Sequence, residues 1–453
     1  MSTPALQLDI GALTAAYARG VHGPAAVLQA LLAEVNADAR GLNAFCHLDA
    51  EGALAQAQAS AARWQAGRAL GPLDGVPVSI KDLLPVAGWP TRRGSLATAA
   101  EPPAAQDAPL VAQLRAAGAV LFGKTTTTEF GWTTESHNPH AGTTRNPRDP
   151  VRSAGGSSSG AAAQVAAGWG PLAIGSDAGG SVRIPAAYCG VVGFKPTFGA
   201  IPAAPQSAFA EFAHFGPLTR SVADCARAMA VLSQPDPRDP ASLYPRGAAQ
   251  RPAQLRIGWS LALGAPTALE PTIAQALQAL VERLAAAGHQ LVALPPLGLD
   301  AADAMWTVWQ SRVHESFVDW TDAQRAALDP ALQRLWEQGA DLSPTRLARA
   351  RAQLRGLAGA LAQQFAGIDV LLTPSAPTVA PLLPGAPDTQ PRNWFASNGY
   401  CYPFNLTQQP ALSLPLGRDA QGLPFGVQVV GRRYADELVL HAGRLVEGML
   451  AAG

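Results

Sequence analysis

Two glycine-rich turns carry serines that could do chemistry. One is GGSSSG at residues 155–160, the other GSDAGGS at 175–181, and Ser157 and Ser181 stand 24 positions apart. Gly179 and Gly180 permit backbone shapes that a Cβ would forbid. Successive N–H groups of the second turn can therefore converge on one point, a nest suited to an anion. A hydroxyl at the end of such a nest is placed to be a nucleophile beside its own oxyanion hole. It still needs a base. Only three of the 33 basic residues are lysines, Lys81, Lys124 and Lys195. Arginine does not release its proton in a protein, whereas a buried lysine can.

Other readings of the first turn are weaker. A flexible glycine–serine linker fits poorly with the alanine-rich helix expected directly after it. A phosphate loop fails because Gly160-Ala161 stands where a lysine followed by Ser or Thr is required. Gly156 to Gly160 also spells GxSxG, which would make Ser158 the nucleophile of a strand–turn–helix elbow. That elbow needs an apolar strand before it, and Asn146-Pro147-Arg148-Asp149-Pro150 cannot be one. It also needs a later acid and histidine, and the available His314 and His441 each sit in ordinary helical text. His137 and His140 form no metal-ligand spacing with a carboxylate or cysteine cluster, so no metal is expected.

The elements that must position these residues alternate between strand and helix. Residues 9–66 read as mostly helical. Gly75 to Ile80 reads as a buried strand delivering Lys81-Asp82, followed by a helix at Pro109–Ala117 and a strand at Ala119–Phe122. Ser158 or Ser159 caps a helix over Gly160–Ala167 that ends at Gly168. Leu172 to Ile174 is another strand, with Ser181 on the loop beyond. Pro235 to Pro252 reads as a surface crossing. A strand at Leu255–Trp259, a helix at Thr272–Ala287, a strand near Leu291-Val292 and helices over 303–338 and 343–366 follow. Ile368–Leu372 is a strand, Pro374–Pro391 a loop, and 412–416 with 426–430 a late strand pair. This pattern predicts an α/β fold.

Composition narrows the classes. At 453 residues, 48% apolar and 15% charged, the chain can build a large core. Its net charge is zero, without basic or acidic runs, which argues against a nucleic-acid surface or a polybasic membrane patch. No apolar run of about 18 residues suggests a membrane span, and Asp9 interrupts the N-terminal apolar stretch, so no signal peptide is expected. Cys46, Cys189, Cys225 and Cys401 are scattered, which predicts free thiols and a cytoplasmic home.

Taken together, GVPVSIKD (75–82), GTTRNP (142–147), GGSSSG, GSDAGGSVRIPAA (175–187) and GVVGFKPT (190–197) resemble the amidase signature family. LLTPSAPT (371–378), FNLTQQPALSLP (404–415) and GLPFGVQVVGR (422–432) extend the resemblance over nearly the whole chain. It implies one domain over 1–453 with a central mixed β-sheet covered by helices on both faces. Residues 1–66 would form a helical part, 67–235 the core holding the catalytic residues, and 236–453 the half that completes the sheet and pocket. It further implies a Ser–cis-Ser–Lys triad with Ser181 as nucleophile, Ser157 as bridging serine after a cis peptide from Gly156, and Lys81 as ultimate base. The oxyanion hole would use the N–H groups of Ala178, Gly179, Gly180 and Ser181. Ser158, Asp177 and Arg183 would support the site, with Asp82 also structural, while Lys124 and Lys195 tie down loops. Ser159 and Ala161 depart from the common GGSSGGS spelling, at positions outside the triad.

The residues fit those roles physically. A free lysine, at about pKa 10.4, is charged at neutral pH, so the apolar strand before Lys81 must desolvate it. Ser157 can accept and donate together, passing a proton from Ser181 to Lys81 and later to the leaving nitrogen. The expected reaction is hydrolysis of a C(=O)–N bond in a small-molecule carboxamide, aryl amide or carbamate, without cofactor and with esters as side substrates. The alternative is a glutamine-hydrolysing subunit of an amidotransferase complex. Substrate contacts are expected from Gly131, Trp132 and Thr133 and from the 202–215 loop with Gln206, Phe209 and Phe212, aromatics that fit a core equally well. A homodimer is one arrangement left open.

Overall fold

The computed structural model describes residues 4–244, 251–264, 268–385 and 389–451. Eleven strands form one continuous sheet: β1 (Phe45–Leu48), β2 (Pro77–Lys81), β3 (Val120–Thr125), β4 (Leu172–Asp177), β5 (Val192–Lys195), β6 (His214–Thr219), β7 (Arg256–Trp259), β8 (Gln290–Ala293), β9 (Val370–Pro374), β10 (Ala411–Arg418) and β11 (Pro424–Gly431). Their spatial order is β1-β3-β2-β4-β6-β5-β10-β11-β9-β7-β8. β2 pairs in parallel with both β3 and β4, and β7 with β8 and β9; the remaining pairings are antiparallel, so the sheet is mixed.

Both faces are covered, and the pleat sorts side chains between them. Leu121, Leu172 and Ile174 join one core with Val222, Cys225, Leu277 and Leu280. Their strand neighbours Val120, Phe122 and Ala173 join the opposite core with Leu28, Leu31, Ala162 and Val165. Every residue of β2, β3 and β5 is buried, the pattern of strands covered on both sides.

Several expected elements sit where their patterns place them, including helices Pro109–Ala116, Ser159–Ala167, Pro271–Ala286 and Pro344–Gln364. Others differ for physical reasons. The stretch read as helical to residue 66 is interrupted by β1, a half-buried edge strand that pairs with β3. β3 runs past Phe122 through Lys124, whose buried ammonium is matched by Asp82 at 3.1 Å. The helix expected over 303–338 is three: Ala302–Phe317, Asp322–Ala326 and Pro330–Ala340. Thr321 makes a capping box with Gln324, and Asp329-Pro330 starts the last of them. Part of the expected 235–252 crossing lies outside the described residues, as do three residues of the 374–391 loop.

Candidate active site

β2 and β4 run parallel with Ile80 opposite Ile174, so both strands release their last residues at the same edge. β2 delivers Lys81 there and β4 delivers Ser176, Asp177 and the glycine turn. The segment before helix Ser159–Ala167 comes to the same place, with Ser158 N donating to Ser181 O at 3.1 Å and Gly160 N to Thr126 O at 3.1 Å. The Gly156–Ser157 peptide is cis, and Gly155 adopts a φ of 79° beside Tyr188 and Pro185, where a Cβ would collide. Lys81 Nζ then lies 2.7 Å from Ser157 Oγ, 2.9 Å from Ser176 Oγ and 3.0 Å from Ser158 Oγ.

All three lysines of the chain are fully buried, and burial lowers the pKa of each. Their partners distinguish them. Lys124 pairs with Asp82 and holds Pro90 O at 2.9 Å, while Lys195 donates to the carbonyls of Gln409 and Pro196. Both therefore anchor loops. Among the described residues Lys81 has hydroxyl partners alone. Desolvation pushes its pKa well below 10.5, opposed only in part by the charge of Asp177. As a neutral amine it keeps two N–H donors and one lone pair. Ser158 already gives its hydroxyl proton to Ser176 O at 3.1 Å, which leaves the Ser157 or Ser176 hydroxyl to face that lone pair.

Ser176 carries no signal in the sequence beyond standing before Asp177. Adjacent strand residues point to opposite faces, so Ser176 meets Lys81 while Asp177 meets Arg183. Ser158 also departs from expectation. It is the N-cap residue of its helix without a side-chain cap bond, because its hydroxyl is committed to Lys81 and to the Ser176 backbone.

The second glycine turn is built on an ion pair with no exposure. Arg183 Nη2 reaches Asp177 Oδ1 at 2.9 Å and its Nε reaches Oδ2 at 2.9 Å. Burial opposes ionisation of Asp177, but the adjacent guanidinium overrides it and holds the carboxyl well below the usual range. The same carboxylate accepts Gly180 N at 2.7 Å and Val182 N at 3.1 Å. The Gly180 N–H, one of the expected oxyanion donors, is thus already bonded to Asp177. Gly180 instead supplies a φ of 129°, and a Cβ there would lie 2.7 Å from Cys401 Cβ. The N–H groups of Ala178, Gly179 and Ser181 have no acceptor among the described residues. Ser181 is 5% exposed, against 1% for Ser157. Its hydroxyl makes no hydrogen bond with another described residue.

Gly131 stands against Ser157: a Cβ there would be 3.1 Å from Ser157 Oγ. Trp132 O accepts the indole N–H groups of both Trp309 and Trp394 at 3.1 Å. Trp394 packs onto Gly179, so the aromatic wall backs the oxyanion turn. Phe209 stacks on Trp309 with centroids 3.6 Å apart, and both it and Phe212 are buried in that wall. Trp132, Thr133 and Trp394 also line a pocket of about 220 Å³ with Glu129, whose carboxyl burial pushes up to about 7. Gln206 is exposed. His137 contacts Thr143 Oγ1 at 3.0 Å in a two-strand ribbon. Among the described residues no group of three His, Cys, Asp or Glu side chains is placed to hold a metal ion, and no helix is long and apolar enough to cross a membrane.

The site sets a buried lysine among serine hydroxyls at one edge of a large mixed sheet, and comparison with known proteins says to which family such a chain belongs. A family model described as Amidase matches residues 26–440. The chain is 34% identical to an acylamidase of Rhodococcus erythropolis, over 96% of this chain and 94% of that one. It is also 34% identical to a glutamyl-tRNA(Gln) amidotransferase subunit from Chloroflexus aurantiacus, over 96% and 95%. Among solved structures, a bacterial aryl acylamidase of the amidase signature family superposes with a TM-score of 0.89 at 27% identity, over 99% of this chain and 97% of that one. A 6-aminohexanoate cyclic dimer hydrolase complexed with substrate gives 0.87 at 29%, over 99% and 98%. The chain belongs to the amidase signature family. It is an amidase, a hydrolase of C–N bonds.

Proposed function

We propose that the chain cleaves a small carboxamide, aryl amide or carbamate through an acyl-enzyme on Ser181, with Ser157 and Lys81 as the proton relay. The observation that carries this reading is the contrast among the lysines: among the described residues only Lys81 has hydroxyls as its sole hydrogen-bond partners. Ser181 Oγ attacks the carbonyl carbon while its proton passes to Ser157, whose own proton moves to the neutral Lys81 amine. The tetrahedral oxyanion is met by the N–H groups of Ala178, Gly179 and Ser181. Ser157 then protonates the departing nitrogen, taking its replacement from the Lys81 ammonium, and the C–N bond breaks. Water repeats the sequence on the acyl-enzyme and releases the acid. The Ser157–Ser181 contact would close as substrate fills the site, since such bonds are often loose in empty enzymes. Four unpaired cysteines support a cytoplasmic setting.

Likeness to the amidotransferase subunit of Chloroflexus aurantiacus supports a second reading, a glutaminase that passes ammonia to a partner. One experiment separates them. The isolated chain is treated with a fluorophosphonate and screened against aliphatic amides, anilides, carbamates and glutamine. Labelling at Ser181, turnover of simple amides, and a roughly 10³-fold loss in Lys81→Met support the first reading. Hydrolysis of glutamine alone, and only with a partner, selects the second; labelling at Ser158 removes the triad.

A further inference from the structure

We propose that Asn405 is a positioning residue that keeps the nucleophile turn in register with the aromatic wall of the substrate site. This rests on Ser181 being the nucleophile. Asn405 lies on a single short turn of helix, Pro403–Leu406, far from both glycine turns in sequence. It is fully buried. Its amide nitrogen is 2.8 Å from Asp177 O, 2.9 Å from Asp177 Oδ1 and 3.1 Å from Phe212 O. Its amide oxygen accepts Arg183 Nη2 at 2.6 Å.

Each contact bears on a different part of the site. Asp177 Oδ1 also holds the Gly180 N–H, so the Asn405 donor fixes the carboxylate that shapes the oxyanion turn. Arg183 places all five of its side-chain N–H groups: on Asp177, on Asn405, and on the carbonyl oxygens of Cys401 and Gln428. Losing Asn405 leaves one of those donors unmet in a dry interior. Phe212 O ties in the turn that carries Phe209, which stacks on Trp309. Trp309 and Trp394 share the Trp132 carbonyl, and Trp394 returns to Gly179. The chain of contacts therefore closes on itself, from the oxyanion turn through Asn405 and the aromatic wall back to the oxyanion turn. Asn405 is a side-chain link between its two halves, beside the strand pairing of Asp177 with His214. The requirement is for a donor: an acceptor in its place would face Asp177 O, Asp177 Oδ1 and Phe212 O.

The test compares Asn405→Ala and Asn405→Asp with the wild-type enzyme. Four quantities are read: the rate of fluorophosphonate labelling at Ser181, kcat, KM for an anilide and a short aliphatic amide, and the thermal midpoint. In Asn405→Ala the labelling rate and kcat fall together by about 100-fold, the scale of a lost oxyanion donor, with KM for the aliphatic amide within threefold. Asn405→Asp keeps the volume and the acceptor for Arg183 yet falls at least as far, because it has lost the donor. Labelling of Asn405→Asp within threefold of wild type would overturn the proposal. So would an Asn405→Ala enzyme that loses thermal midpoint but keeps kcat, or a chain that folds with neither replacement, since each makes the amide a support of the fold alone. Labelling of the wild-type chain away from Ser181 would instead remove the parent mechanism.

Discussion

Replacing Lys81 with methionine probes its protonation without relying on turnover. Burial holds the Lys81 pKa well below 10.5. Between the folded value and 10.5, the unfolded chain binds a proton at this position that the folded chain has shed. Stability contributed by this group must therefore rise with pH across that window and level off above 10.5. The slope is about 1.4 kcal/mol per pH unit. Lys124 and Lys195 are also lowered by burial, but they are present in both proteins and cancel. Methionine also leaves three hydroxyl groups without the amine, roughly 1 kcal/mol each. That loss is an offset independent of pH, so the slope and not the offset carries the information. At about 2.1 cal/mol/K per residue, the unfolding entropy of 453 residues is of order 1 kcal/mol/K, which converts the slope to about 1.5 °C of thermal midpoint per pH unit. Paired melts of wild type and Lys81→Met from pH 8.5 to 10 measure it. The wild-type midpoint should gain on the variant by about 2 °C over that range. A gap that does not change with pH would mean that Lys81 keeps its proton on folding, and the base role would fall.

Two further substitutions read the surroundings of that lysine and of the turn. Ser176→Ala removes one of three oxygens that stabilise the Lys81 ammonium, so the pKa should fall further and the acidic limb of the kcat/KM–pH profile should move to lower pH, with kcat about tenfold down; an unmoved limb would show that Ser176 does not touch the working lysine. Gly180→Ala forces a side chain into φ 129° and to within 2.7 Å of Cys401 Cβ and Ile184 Cδ1, which should cost about 2–4 kcal/mol in chemical denaturation and abolish Ser181 labelling; an alanine enzyme of wild-type stability would contradict the turn geometry.

Much of this protein is legible in its residues alone. The pairing of two glycine–serine turns with a scarce lysine depends on residue types that few other roles require, and the block order GVPVSIKD to GVQVVGR ties them to one family. The helices from Pro271 and Pro344 follow from apolar periodicity and proline at their first turns. Where local text was ambiguous, pairing decided. β1 is an edge strand because β3 offers it hydrogen bonds, not because FCHL announces one.

The sequence alone determined the chemistry on offer, because a nucleophile, a relay and a titratable base are properties of side chains and their order. Only tertiary structure decided which groups are engaged. It committed the Ser158 hydroxyl to Lys81 in place of a helix cap, and brought Ser176 and Asn405 to the site. The physical reason is common to all of them. A buried donor or acceptor must find a partner, and the partners of Lys81 and Asn405 lie 76 to 228 positions away in the chain and meet them only when it folds.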